Sequence, residues 1–203
     1  MSYAATHLRT LAALTLQHLA LVAVSLAIAL AIAFPAGIVA ARNARLGAAI
    51  IGTAGVLYTI PSLALLAALV VALGIGPQCA IVALVVYAQL GLVRGIVAGL
   101  RGVDPAVVDA ARGLGLSPAQ RLLRVELPAA LPVILAGVRI AAVTLIALAT
   151  VAGWIAAGGL GTLIFDGLAE HHDGPIVAGA LAAALLAIAA DAALRACERA
   201  VRT

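Results

Sequence analysis

The sequence predicts an all-α membrane protein with about five transmembrane helices, and three observations carry that prediction. Hydrophobic residues make up 66% of the 203-residue chain and charged residues only 10%, against roughly 45–50% and about 25% in soluble domains. Several windows approach or exceed the ~20 apolar residues that a helix needs to cross ~30 Å of hydrocarbon. No window keeps the strict alternation over ~10 residues that marks a membrane β-barrel.

Taken in order, the first span runs from about Leu14 to Ala41, and the second from about Leu46 to Leu73 with Pro61 interrupting it. The third covers roughly Pro77–Leu100, the fourth Leu131–Ala157 and the fifth Gly174–Leu194. The whole chain, 1–203, reads as one transmembrane domain with a polar loop at about 101–128. Leu11 onward enters a full-length span without a small-residue cleavage site, so no cleavable signal peptide is expected. Pro35 and Pro61 should kink or break their spans, which membrane helices tolerate when neighbours satisfy the freed carbonyls. Gly91, Gly95 and Gly99 stand four apart and form a small-residue track for close helix approach.

The loops separate by charge. Arg42 and Arg45 follow span one. Arg94, Arg101, Arg112, Arg121 and Arg124 occupy the end of span three and the loop after it, and Arg195, Arg199 and Arg202 follow span five. Five crossings put these regions on one side, opposite Arg9, the Gly74–Pro77 turn and the loop with Asp166, Glu170 and Asp173. Positive loops mark the cytoplasm, so the N-terminus is expected outside and the C-terminus in the cytoplasm.

Several functions are excluded or disfavoured. All twelve basic residues are arginine, so a Walker-type phosphate loop, which needs a lysine, is absent. The net charge of +4 is spread between apolar spans, which points away from a nucleic-acid partner. Cys79 and Cys197 lack metal-ligand spacing and read as packing residues. His171-His172-Asp173 reads as a solvated loop rather than a metal site. Gly158, Gly159 and Gly161 do not fit a dinucleotide fingerprint and are expected to form a tight break after span four. Inverted repeats and midplane acids, the marks of a secondary transporter, are not evident. An intramembrane enzyme would need a dyad, for which His18 is the one histidine near a span.

The exception in this hydrocarbon-rich chain is the stretch VDAARGLGLSPAQRLLRVELP, Val108–Pro128. Asp104-Pro105 reads as an N-cap and first-turn proline opening a short helix through about Gly113. Gly113 and Gly115 interrupt it. Ser117-Pro118-Ala119-Gln120 then restarts a helix with a capping box, which ends near Leu127-Pro128. Helices this short do not stand alone in water. Val107, Val108, Ala111 and Leu114 form an apolar stripe, so the pair needs a surface, either a partner's groove or the lipid interface.

Asp109-Ala110-Ala111-Arg112-Gly113, followed by Glu126-Leu127-Pro128, resembles the EAA loop of bacterial ABC-importer permeases, with Asp109 in place of the usual Glu. YTIPSLALLAAL (Tyr58–Leu69), LRGVDPAVVDAARGLGLSP (Leu100–Pro118), LPAALPVILAGVRIA (Leu127–Ala141) and AAGGLGTLIFDGL (Ala156–Leu168) extend the resemblance over nearly the whole chain, to the glycine betaine/choline/carnitine subgroup. The resemblance implies a type-I importer permease of the methionine-importer kind in the bacterial inner membrane. Its partners would be a second permease chain, identical or paralogous, a cytoplasmic ATPase, an extracytoplasmic binding protein and membrane lipid. The chain would carry no cofactor, ATP and Mg residing on the ATPase. It would be no enzyme itself.

Under that resemblance, Asp109, Ala110, Ala111, Arg112, Gly113, Gly115, Ser117 and Pro118 are the expected ATPase-coupling residues, with Gly113 as the elbow. A quaternary ammonium is attracted to aromatic faces, so Tyr58, Tyr87, Gln89 and Trp154, with the break at Pro61, are the candidates for the substrate path. Arg139, inside span four near its arginine-rich end, is expected to be structural. The alternatives are an ATP-independent carrier of a small solute and an ABC permease for an amino acid.

Overall fold

In a computed structural model, residues 3 and 6–201 are described; Arg202 lies outside them. The chain folds into helices α1 (Leu8–Arg42), α2 (Ala44–Thr59), α3 (Ser62–Leu73), α4 (Pro77–Arg101), α5 (Pro105–Gly113), α6 (Pro118–Arg121), α7 (Leu127–Val151), α8 (Leu160–Ala169) and α9 (Asp173–Val201). A π-helical turn, Leu122–Glu126, precedes α7, and a 3-10 turn, Ala152–Ile155, follows it.

Four stretches are long and apolar enough to cross a membrane: α1, α4, the continuous run Pro118–Ile155, and α9. Counted as one span, α2 and α3 make a fifth, bent by 93° at Ile60-Pro61. Pro61 carries no N–H and pushes the preceding residue to extended backbone; Ile60 accordingly sits at φ −65°, ψ 127°. Pro35 behaves otherwise, because α1 continues through it from Leu8 to Arg42.

α4 is the most enclosed span. It packs on α1, where Ile96 lies against Gly37, and on α7 through the glycine track. A methyl at Gly95 would come within 3.1 Å of Gly137 Cα, and one at Gly99 within 3.0 Å of Ala130 O, so backbones touch where only glycine fits. Gly91 has open space instead.

Two expectations at the ends of span four need correction. The second loop helix does not stop at Leu127-Pro128. α6 passes through the π turn, where Leu127 N–H bonds to Leu122 O, into α7 without a gap. That five-residue bond shifts the ladder by one residue, and Pro128 occupies the first turn of α7, where a missing N–H is tolerated. Beyond the span, the expected external loop holds the helix α8, which contains Asp166, so the connection to α9 shortens to residues 170–172. The break before α8 uses Ala156 in the left-handed region (φ 55°), then Gly158 (φ 84°) and Gly159 (φ 80°).

Candidate functional site

The loop between α4 and α7 begins with a capped helix. Asp104 Oδ1 accepts the Ala106 N–H at 2.8 Å, which opens α5. Ser117 Oγ accepts the Gln120 N–H at 3.3 Å, and Gln120 Oε1 accepts the Ser117 N–H at 2.9 Å. This is the reciprocal capping box expected at α6. The left-handed residue of the elbow is Gly115 (φ 77°) rather than Gly113, which ends α5 in helical conformation. A methyl on Gly113 would meet nothing within 4 Å, so its small size serves no contact within this chain.

α5 leaves its apolar stripe largely uncovered. Ala111 is buried, but Val107 and Leu114 are exposed, Leu114 by 82%. Asp109 and Arg112 pair at 3.5 Å in solvent, a geometry that contributes little to stability. Asp109, Ala110, Arg112, Gly113, Gly115, Ser117 and Pro118 are all exposed, so of the eight expected coupling residues only Ala111 is covered by the chain itself.

Behind this surface lies a charged latch. Glu126, in the π turn, is 2% exposed and receives the Arg42 guanidinium from the end of α1. Arg121 approaches its other oxygen at 3.5 Å. Nearby, Arg101 at the end of α4 donates to Ala40 O at 2.8 Å and Ala41 O at 3.3 Å. These carbonyls belong to the last turn of α1, where a cation is favoured. The loop is therefore tied to α1, which α4 grips through Arg101, as well as being continuous with α7. Glu126 stood in the sequence only as part of a motif; its burial follows from the π turn, which sequence spacing does not reveal.

A second set of charges joins α7 to α9. Arg139 Nη1 donates to Asp191 Oδ1 at 2.7 Å, its Nε lies 3.4 Å from Glu198, and Arg195 donates to Asp191 at 2.8 Å. This pairing fits the structural role expected of Arg139.

At the opposite end of the bundle, His18 is fully buried on α1. Its Nδ1 accepts the Leu160 N–H at 3.3 Å, and its Nε2 lies 3.0 Å from Ile146 O. An acceptor at Nδ1 assigns the proton to Nε2, which donates to the carbonyl. Gln17 Oε1 accepts the Gly159 N–H at 3.3 Å. Two side chains of α1 thus cap the N-terminus of α8, and both ring nitrogens of His18 are engaged by backbone groups. Nothing in the sequence links residues 142 positions apart, so this contact is visible only in the fold.

The expected substrate-path residues separate. Tyr58 and Tyr87 meet edge to face, with centroids 5.9 Å apart and planes at 77°. The Tyr87 hydroxyl donates to Ile60 O, the carbonyl exposed by the Pro61 break. The two tyrosines line a cavity of about 220 Å³ with Gly91, Arg94, Ile140 and Thr144. Gln89 turns away: its amide donates to Val85 O at 3.1 Å and Ala29 O at 3.3 Å, and it borders a groove between α1, α2 and α4. Trp154, 52% exposed in the 3-10 turn, lines neither space. Among the described residues no three His, Cys, Asp or Glu side chains gather as a metal site.

A bundle of apolar crossings, a cavity among them lined by two tyrosines and an arginine, and an exposed, capped helix pair at their charged ends define a membrane permease. The chain belongs to the family described as binding-protein-dependent transport system inner membrane component, whose model matches residues 33–203. It is 41% identical over 180 residues to the carnitine transport permease protein OpuCB of Listeria monocytogenes, covering 89% of this chain and 83% of that one. It is 38% identical over 185 residues to the choline transport system permease protein OpuBB of Bacillus subtilis, covering 91% and 85%. A chain of the MetNI methionine ABC transporter in an inward-facing conformation superimposes with a TM-score of 0.86 at 25% identity, covering 94% of this chain and 95% of that one.

Proposed function

We propose that this chain is the transmembrane subunit of an ATP-binding cassette importer for a small quaternary-ammonium osmoprotectant of the glycine betaine, choline or carnitine kind. The observation that carries this reading is the α5–α6 surface, capped at both starts, apolar on one face, latched to α1 and continuous with α7. The names of the similar permeases supply the solute class.

Two permease chains, identical or paralogous, pair in the inner membrane, and a binding protein delivers solute from outside. The arginine-bearing ends face the cytoplasm, where α5 and α6 enter a groove on an ATPase that holds the ATP and Mg. Asp109 to Gly113 form the entering helix, Gly115 turns it, and Ser117-Pro118 starts the return. Closure of the ATPase pair pushes on α5. Because α6, the π turn and α7 are one continuous run, the push becomes a rigid-body rocking of the spans, which changes the side to which the cavity opens.

The test is purification in mild detergent with and without Gly113→Asp, followed by mass spectrometry and ATP-dependent uptake. An ATPase that accompanies the native chain and falls at least ~10-fold in the variant, about 1.4 kcal/mol, supports the reading. A chain that comes alone and moves solute without ATP is a secondary carrier.

A further inference from the structure

Arg94 sits seven residues before the end of α4, about 10 Å up the helix from Arg101 at ~1.5 Å per residue. By its place in the sequence it belongs with the arginines that set topology. Its surroundings do not fit that role. Exposed rather than packed, it lines the cavity with Tyr58 and Tyr87, and no hydrogen-bond or ion-pair partner for it lies among the described residues. The arginines at 42, 101, 121 and 139 all have partners. A cation within a span is unfavourable unless a partner or water meets it, and such residues mark substrate paths. None of the residues lining this cavity is acidic, so the chain itself supplies no counter-charge.

The cavity therefore holds two recognition chemistries of opposite preference. The paired tyrosine rings attract a quaternary ammonium through their faces. The guanidinium attracts a carboxylate, with a planar fork that matches its two oxygens. The same guanidinium repels a solute whose only charge is positive. The orientation of the rings is set by the fold: the Tyr87 hydroxyl is held by Ile60 O, and Tyr58 stands on the last turn of α2 against it. At about 220 Å³ the space suits a small solute, below the ~300–1,000 Å³ of drug-sized sites.

We propose that Arg94 and the Tyr58–Tyr87 pair form an intramembrane site for zwitterions bearing both a quaternary ammonium and a carboxylate, and that Arg94 disfavours cationic quaternary-ammonium alcohols. The inference rests on the osmoprotectant reading above and narrows its solute class to the glycine betaine type over the choline type.

The experiment uses the assembled permease–ATPase complex without nucleotide or binding protein, so that the cavity alone selects. Ile140, which lines the cavity and is 60% exposed, is changed to Cys as a reporter in a chain with Cys197→Ser; Cys79 is buried. Maleimide labelling is timed with glycine betaine or choline at equal concentration. Glycine betaine is expected to slow labelling several-fold and choline not to. Arg94→Gln is expected to remove the protection, and Arg94→Lys, which keeps the charge, to retain part of it. Equal protection by choline, protection that survives Arg94→Gln, or protection by neither solute overturns the proposal. ATP-dependent uptake by the complete transporter is read separately. Uptake without protection sinks this site and leaves the importer reading in place, whereas no uptake of either solute sinks both.

Discussion

The Glu126 carboxylate, buried in the π-helical turn, receives the Arg42 guanidinium from the far end of α1. One short contact thus joins the loop that meets solvent to the first span, across 84 residues of sequence. Glu126→Gln keeps the shape and removes the charge, leaving Arg42 and Arg121 without their carboxylate. Arg42 is 46% exposed and can turn to water, so the expected loss is modest, about 1–2 kcal/mol. Thermal unfolding of the purified complex measures it. If the latch carries the push from the ATPase, solute moved per ATP falls while the ATPase still binds; an unchanged ratio makes Glu126 a stability element alone.

His18 holds the break that precedes α8. His18→Ala strands the Leu160 N–H at the start of α8 and leaves a cavity where the buried imidazole stood, and a loss of about 2–3 kcal/mol is expected. Gln17→Ala, at an exposed position on the same turn, should lose only about 0.5 kcal/mol. Melting temperatures of the two variants in one detergent check the ranking. Equal effects would mean that α8 is held by packing rather than by the imidazole.

Arg139 and Asp191 offer a double-mutant cycle. Arg139→Gln and Asp191→Asn together should lose less than the sum of the single changes, by about 1 kcal/mol, in the range measured for polar pairs between membrane helices. Arg139→Gln alone should do more harm than Asp191→Asn, because it gives up contacts to two carboxylates, Asp191 and the buried Glu198, whereas the second contact of Asp191 is to the exposed Arg195. Additive losses would show that the pair does not stabilise the α7–α9 contact.

Cysteine accessibility checks the orientation. A cysteine at Glu170, exposed in the short turn after α8, should react with a membrane-impermeant maleimide on intact cells. One at Arg124, exposed in the π turn, should react only after permeabilisation. Arg124 is the better probe than Arg121, which is 15% exposed and lies against Glu126. The reverse pattern would overturn the placement of α5 and α6 beside the ATPase.

Residue type and spacing by themselves determined the class of this protein: apolar runs of spanning length, arginines grouped by side, a proline break at Pro61, and an Asp104 and Ser117–Gln120 capping pattern that the backbone adopts. These are local rules, acting within about four residues, and a sequence displays them directly. The loop surface was legible for the same reason, although the left-handed turn falls at Gly115 and not Gly113, because either glycine satisfies the spacing. The tertiary structure alone decided which distant residues meet. Packing carried α1 against the break at Gly159 and so turned His18 into a cap; Glu126 is buried within the π turn; and Tyr58, beside the 93° bend, meets Tyr87 next to Arg94, while Gln89 borders another groove and Trp154 lines neither space. Each of these contacts depends on the angle at which helices cross and the rotation of one face toward another, which no single segment of sequence contains.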